Sequence, residues 1–276
     1  MKLAFSTLGV PGMPMTDVAA LAVGTGYQGV ELRAHPEEPV HPGIGAAERA
    51  ATVAAFADAG VEILTVAGYA QVAAPGDDEP VLAEIRGLLE LAHDLRAPYV
   101  RVFPGAGEDA GEGAGDALAA GAPLTGGDAR AARRLGAAAE LAADHGVRLL
   151  LETHDSHRRG VDAARVVAAV GHPGVGALWD VMHTWLGGES PAASHGVLAP
   201  HLGYVQVKDI ASAEDTTPLA LGAGVLPLAD CLSRLSANQW VCWEYEKRWY
   251  PGAAELPALL AAGREHLALL ASGEVV

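Results

Sequence analysis

The 276-residue chain has only two cysteines, Cys231 and Cys242, too few for a disulfide framework. Basic residues are scarce: 18 Lys and Arg stand against 34 Asp and Glu, a net charge of −16 with histidines neutral. Nucleic acid and anionic membrane surfaces both select clustered Lys and Arg, so neither is an expected partner. No run of about 18 apolar residues is available to span a bilayer. The start, Leu3-Ala4-Phe5 running quickly into Pro11 and Gly12, does not read as a signal peptide. Together these absences predict a soluble protein of a reducing, cytoplasmic compartment. A Walker lysine, HExxH and CxxC are missing as well. Gly105-x-Gly107-x-x-Ala110 mimics a dinucleotide fingerprint but opens no clean helix, and Gly188-Glu-Ser190-Pro-Ala192 lacks the last glycine of a nucleophile elbow.

Half of the residues are hydrophobic, enough for a substantial core. Short β-rich runs at 2–7, 28–33, 62–67, 99–103, 147–153, 176–180, 203–208 and 240–246 alternate with Ala/Leu-rich runs of helical period. The helical runs fall at 16–25, 46–59, 80–95, 128–145, 162–170, 190–200, 227–236 and 254–271. Eight evenly spaced strand-then-helix units predict a single parallel (β/α)8 barrel over 1–276, with a doubly wound open sheet as the competitor. Asp17, Asp128 and Ser190-Pro191 are expected helix N-caps, and Gly26, Gly60 and Gly146 expected helix ends. The stretch 104–127, rich in Gly, Ala and Asp, is too long for an ordinary βα loop and reads as an insertion, either disordered or a cover over the barrel mouth.

Polar residues close several strands where apolar ones would be expected. Glu152 ends Leu149-Leu-Leu-Glu152, Asp180 ends Ala177-Leu-Trp-Asp180, Gln206 lies in Tyr204-Val-Gln-Val-Lys-Asp209, and Glu244 follows Trp240-Val-Cys-Trp243. Each is about one βα unit from the next, so the four come from strands five to eight, and strand alternation lets all of them point into the barrel mouth. Three crowded carboxylates repel one another, and a divalent cation is the usual means of stabilising them. The competing reading, separate ion pairs or helix caps, suits one strand-end acid better than four in succession. Period two places His154 on the face of Glu152 and Lys208 on that of Gln206. Arg101 is open between a substrate contact and a structural ion. Glu31 and Arg33 read as structural, Lys247-Arg248-Trp249 as a solvated loop, and His93, His145, His172, His201 and His266 as surface or cap residues.

The segments Gly29-Val-Glu-Leu-Arg33, Leu151-Glu-Thr-His154, Trp179-Asp-Val-Met-His183, Val205-Gln-Val-Lys-Asp209, Leu221-Gly-Ala-Gly224 and Trp243-Glu-Tyr-Glu246, in this order and spacing, resemble the xylose isomerase-like barrels, the sugar phosphate isomerase/epimerase group. The resemblance implies a divalent metal held by Glu152, Asp180, Gln206 and Glu244, with Glu152 and Glu244 also acting as the acid/base pair. His183 would hold the substrate carbonyl, with His154, Arg101 and Lys208 as further substrate contacts. Histidine is the commoner residue at the position of Gln206. Glutamine leaves an all-oxygen shell, which favours Mn²⁺ or Mg²⁺ over Zn²⁺. The implied activity is isomerisation or epimerisation of a keto-sugar or polyol ketone through a metal-stabilised enediolate. A dehydratase of inosose or 3-dehydroshikimate type is the alternative, and a non-catalytic binding barrel is a third. The expected partner is a small polyhydroxy ketone, and a homo-oligomer stays open.

Overall fold

The computed structural model describes residues 1–107, 124 and 126–273. Eight strands, β1 Lys2–Ser6, β2 Gly29–Arg33, β3 Glu62–Gln71, β4 Tyr99–Phe103, β5 Arg148–Glu152, β6 Val175–Asp180, β7 Leu202–Val207 and β8 Trp240–Trp243, close into one barrel in sequence order. Every pairing is parallel, including β8 on β1, so the open-sheet alternative is ruled out. The helices are α1 Met15–Thr25, α2 Ala46–Ala59, α3 Asp78–Asp94, α4 Gly126–Asp144, α5 Gly160–Val170, α6 Val181–Leu186, α7 Pro191–Leu198, α8 Leu228–Leu232 and α9 Leu260–Ser272. No helix among the described residues is long and apolar enough to cross a membrane. Most of the expected insertion, 108–123 and 125, lies outside the described residues.

The barrel interior decides where the polar residues sit. Ala4, Leu64, Leu150, Leu178, Tyr204, Trp240 and Cys242 form a buried cluster separate from the larger helix-facing core. Two residues further along their strands, Leu150, Leu178, Tyr204 and Cys242 are followed by Glu152, Asp180, Gln206 and Glu244. Period-two alternation therefore stacks the four polar side chains as a layer on a packed apolar floor at the C-terminal end of the barrel.

Helix punctuation is partly as expected. Ser190 caps α7 through its hydroxyl, which accepts from the Ala193 amide 3.3 Å away, and Pro191 opens the helix. Gly26 and Gly60 end their helices in the left-handed conformation. Asp17 and Asp128 are not caps: α1 and α4 start earlier, and both acids lie in a first turn. Asp128 is buried there against His157 and Arg165. The last helix starts at Leu260 rather than 254, because Pro257 lacks an amide proton and supports only the short 3-10 turn Leu256–Ala258.

Both thiols are buried, and burial pushes Cys231 up to about 12 and Cys242 well above the usual thiol range. A disulfide reagent such as DTNB at pH 8 should titrate no thiol in the native protein and two after denaturation. Rapid native labelling would show that a barrel face opens.

Candidate active site

A cavity of about 310 Å³ opens at the C-terminal mouth, lined by Arg101, Glu152, His154, His183, Glu244 and Glu246, with Tyr69, Phe103, Met182 and Trp249 among its apolar and aromatic walls. Five of the eight residues singled out from the sequence thus face it. Asp180, Gln206 and Lys208 do not line it and are fully buried.

Glu152, Asp180 and Glu244 each bring a carboxylate oxygen to within 4.8 Å of the others. Asp180 has two tasks. Its Oδ1 accepts from the His183 amide at 3.0 Å, capping α6 and fixing His183 one turn above it, while Oδ2 faces the Lys208 ammonium at 2.8 Å. Gln206 donates its amide group to Glu31 at 3.0 Å and to Glu244 at 3.0 Å. Its Oε1 is left buried with no partner. Asp180 and Gln206 are paired in register across β6 and β7. Three carboxylates and an orphaned amide oxygen fit a hard divalent cation.

Lys208 lies on the inward face of Gln206, as strand alternation predicts, and pairs with carboxylates rather than lining the cavity: its ammonium contacts Asp180 Oδ2 at 2.8 Å, Glu246 Oε1 at 2.8 Å and Glu244. Burial alone would lower its pKa, but these acids outweigh it and hold Lys208 well above the usual lysine range. The lysine is a fixed cation inside the acidic cluster.

Arg101 donates to Glu152 at 2.9 Å, and both are buried. Burial raises Glu152 to about 8 despite the guanidinium. Burial also pushes Glu31 up, with Glu244 adding to the effect. Glu31 receives the Tyr204 hydroxyl as well as the Gln206 amide, and Arg33 binds Glu38 at 2.6 Å and the Tyr69 hydroxyl at 2.7 Å. Both are structural, as expected, though they do not pair with each other.

His154 and His183 pack with ring centroids 4.1 Å apart. Burial takes His183 well below the usual imidazole range. For His154 burial pulls downward, yet the neighbouring Asp155 and Glu152 carboxylates outweigh it and leave the pKa raised.

A model of the xylose isomerase-like TIM barrel family matches residues 19–270. The chain belongs to this family. The xylose isomerase-like barrel is 24% identical over 202 residues to a 3-dehydroshikimate dehydratase of Bacillus anthracis, covering 72% of this chain and 68% of the relative. Among solved structures it superposes on D-psicose 3-epimerase from Clostridium cellulolyticum H10 with a TM-score of 0.78 at 16% identity, covering 98% and 99% of the two chains. It also superposes on the IolI protein, solved with a bound zinc atom, with a TM-score of 0.76 at 16% identity, covering 100% and 99%.

The sequence pattern did not single out Tyr69 and Glu246 at the mouth, and Trp249, expected there only as part of a solvated loop, is a wall of the cavity. Glu246 was legible as Glu244 plus two on the same strand face. Tyr69 was not, because β3 runs on to Gln71, four residues past its expected end. Trp249 packs over the buried Arg33 guanidinium, 5.4 Å from ring centre to carbon, which turns its ring to the cavity rim.

Proposed function

We propose that this xylose isomerase-like barrel is a divalent-metal-dependent isomerase or epimerase of a keto-sugar or polyol ketone. The observation that carries this reading is that Glu152 and Glu244 face the cavity while their carboxylate oxygens also lie within 4.8 Å of one another and of Asp180. A divalent cation held by Glu152, Asp180, Gln206 and Glu244 supplies electrophilic polarisation of the substrate carbonyl and its neighbouring hydroxyl. The chain's own part is proton transfer at the carbon between them. One of Glu152 and Glu244 takes the proton and the other returns one, from strands β5 and β8 respectively. His183, fixed by the Asp180 cap, donates to or accepts from the substrate oxygen, and Arg101 holds Glu152 in place.

The acids of the cavity lining are internally paired: Glu152 with Arg101, and Glu244 and Glu246 with the buried Lys208. The second reading, a dehydratase, is favoured by the adjacent imidazoles of His154 and His183, which offer a base and an acid on one wall, and by the similarity to a dehydratase.

The test is solvent exchange. In D₂O, the Mn²⁺-loaded protein should wash out the α-C–H signal of a ketose or inosose in NMR spectra, and EDTA should abolish the effect. Signals of an epimer or aldose product distinguish the first reading from the enone of the second. Exchange that survives EDTA would overturn the metal dependence.

A further inference from the structure

Glu152 belongs to a second group of ligand atoms. Its carboxylate lies within 4.8 Å of a ring nitrogen of His154 and of His183, which also lie within 4.8 Å of each other. We propose that Glu152, His154 and His183 form a further, nitrogen-rich cation site that takes a borderline transition ion such as Zn²⁺ or Co²⁺. The site lies beside the all-oxygen set of Glu152, Asp180, Gln206 and Glu244 and shares one carboxylate with it. The inference goes beyond the proposed function and does not depend on it.

Four independent features support this assignment. The donor set is two imidazoles and one carboxylate, the composition that borderline ions prefer over the oxygen-only shells of Mg²⁺ and Mn²⁺. Three protein ligands beside an open cavity match the arrangement in which a fourth position stays free for solvent or substrate. Asp155 Oδ1 lies 2.8 Å from His154 Nδ1, a carboxylate beside the ring. Metal-binding histidines are commonly oriented by such a carboxylate. Asp155 has a left-handed backbone with φ 44°, a conformation unusual outside glycine. The ring of His183, finally, has no hydrogen-bond partner among the described residues, although its backbone is anchored by Asp180.

The local packing holds the two rings in place. Phe103 packs on His154 with centroids 4.4 Å apart, and Met182 lines the same wall. A tetrahedral ion requires its ligand atoms to be on the order of 3.3 Å apart, so the three side chains, whose ligand atoms lie within 4.8 Å of one another, would close on the ion. The two donor sets would direct hard and borderline ions to different ligands, with Glu152 either bridging them or contested by them.

The experiment uses the full chain stripped with EDTA and titrated with Co²⁺ alone or Mn²⁺ alone. X-ray absorption of the Co²⁺ form should show two imidazoles on the metal, and the Mn²⁺ form none. Finding no imidazole on Co²⁺ would overturn the site without any substitution. In variants, Asp180→Asn should weaken Mn²⁺ by about tenfold or more while keeping the Co²⁺ visible band. His183→Gln should keep Mn²⁺ binding and lose or shift that band. The opposite pattern, a band lost in Asp180→Asn and kept in His183→Gln, would place both ions in the oxygen set. Circular dichroism confirms that each variant is folded.

Discussion

Glu244→Gln is expected to reduce kcat by about 10³-fold while changing substrate affinity by less than about threefold. Glutamine retains the shape of the side chain and accepts from the Gln206 amide, but it can neither take a proton at neutral pH nor bring a negative charge to the cation. The fold should survive, because Lys208 keeps Asp180 and Glu246 as partners when Glu244 is neutralised. The kcat and KM split is the informative measurement. Loss of kcat with Mn²⁺ still bound assigns Glu244 to proton transfer. Loss of Mn²⁺ with kcat restored at high metal concentration assigns it to the cation alone. An unchanged rate removes Glu244 from the chemistry, and with it the two-carboxylate mechanism.

The largest expected loss of stability lies away from the mouth, at Arg134. Its guanidinium is completely buried and reaches the Asp78 carboxylate at 2.8 Å and the carbonyls of Val72, Ala74, Gly76 and Asp77 at 3.1, 2.8, 2.8 and 3.2 Å. One side chain on α4 thus holds together the whole connection from β3 to α3. Arg134→Met keeps much of the volume and orphans the carbonyls, while Asp78 retains Arg133, for an expected destabilisation of about 3–5 kcal/mol. In a domain of this size that corresponds to a fall in Tm of about 10 °C. Arg134→Lys should recover only part of the loss, since a compact ammonium lacks the planar fork that reaches five acceptors. A fall of under about 2 °C for Arg134→Met would show that the carbonyls are hydrated instead and that the clamp is dispensable.

Much of the architecture was legible along the chain. Helix 46–59 and strand 99–103 coincide with their expected bounds, because Ala/Leu-rich helical period and β-branched or aromatic runs are local properties. The short helix Val181–Leu186 was not legible. It starts with no intervening loop, directly from the last residue of β6, and its cap is the acid that the sequence reading had assigned to the cation. A side chain that serves two neighbours shows only one of its roles in a linear pattern.

The same distinction applies to the site. By itself the sequence determined that Glu152, Asp180, Gln206 and Glu244 share one layer, since strand alternation and one βα unit of spacing leave little freedom once the barrel closes. It also determined the acidic character of the protein and its lack of a phosphate-binding loop. Only the tertiary structure decided what each polar atom faces. Lys208 turns toward Asp180, Glu244 and Glu246 rather than toward the cavity, because a buried ammonium seeks the densest negative charge within its reach. Gln206 shows an unpartnered oxygen because Glu31, from the distant strand β2, takes its amide hydrogens. Such choices depend on distances between strands far apart in sequence, and they are made only when the closed barrel brings those strands together.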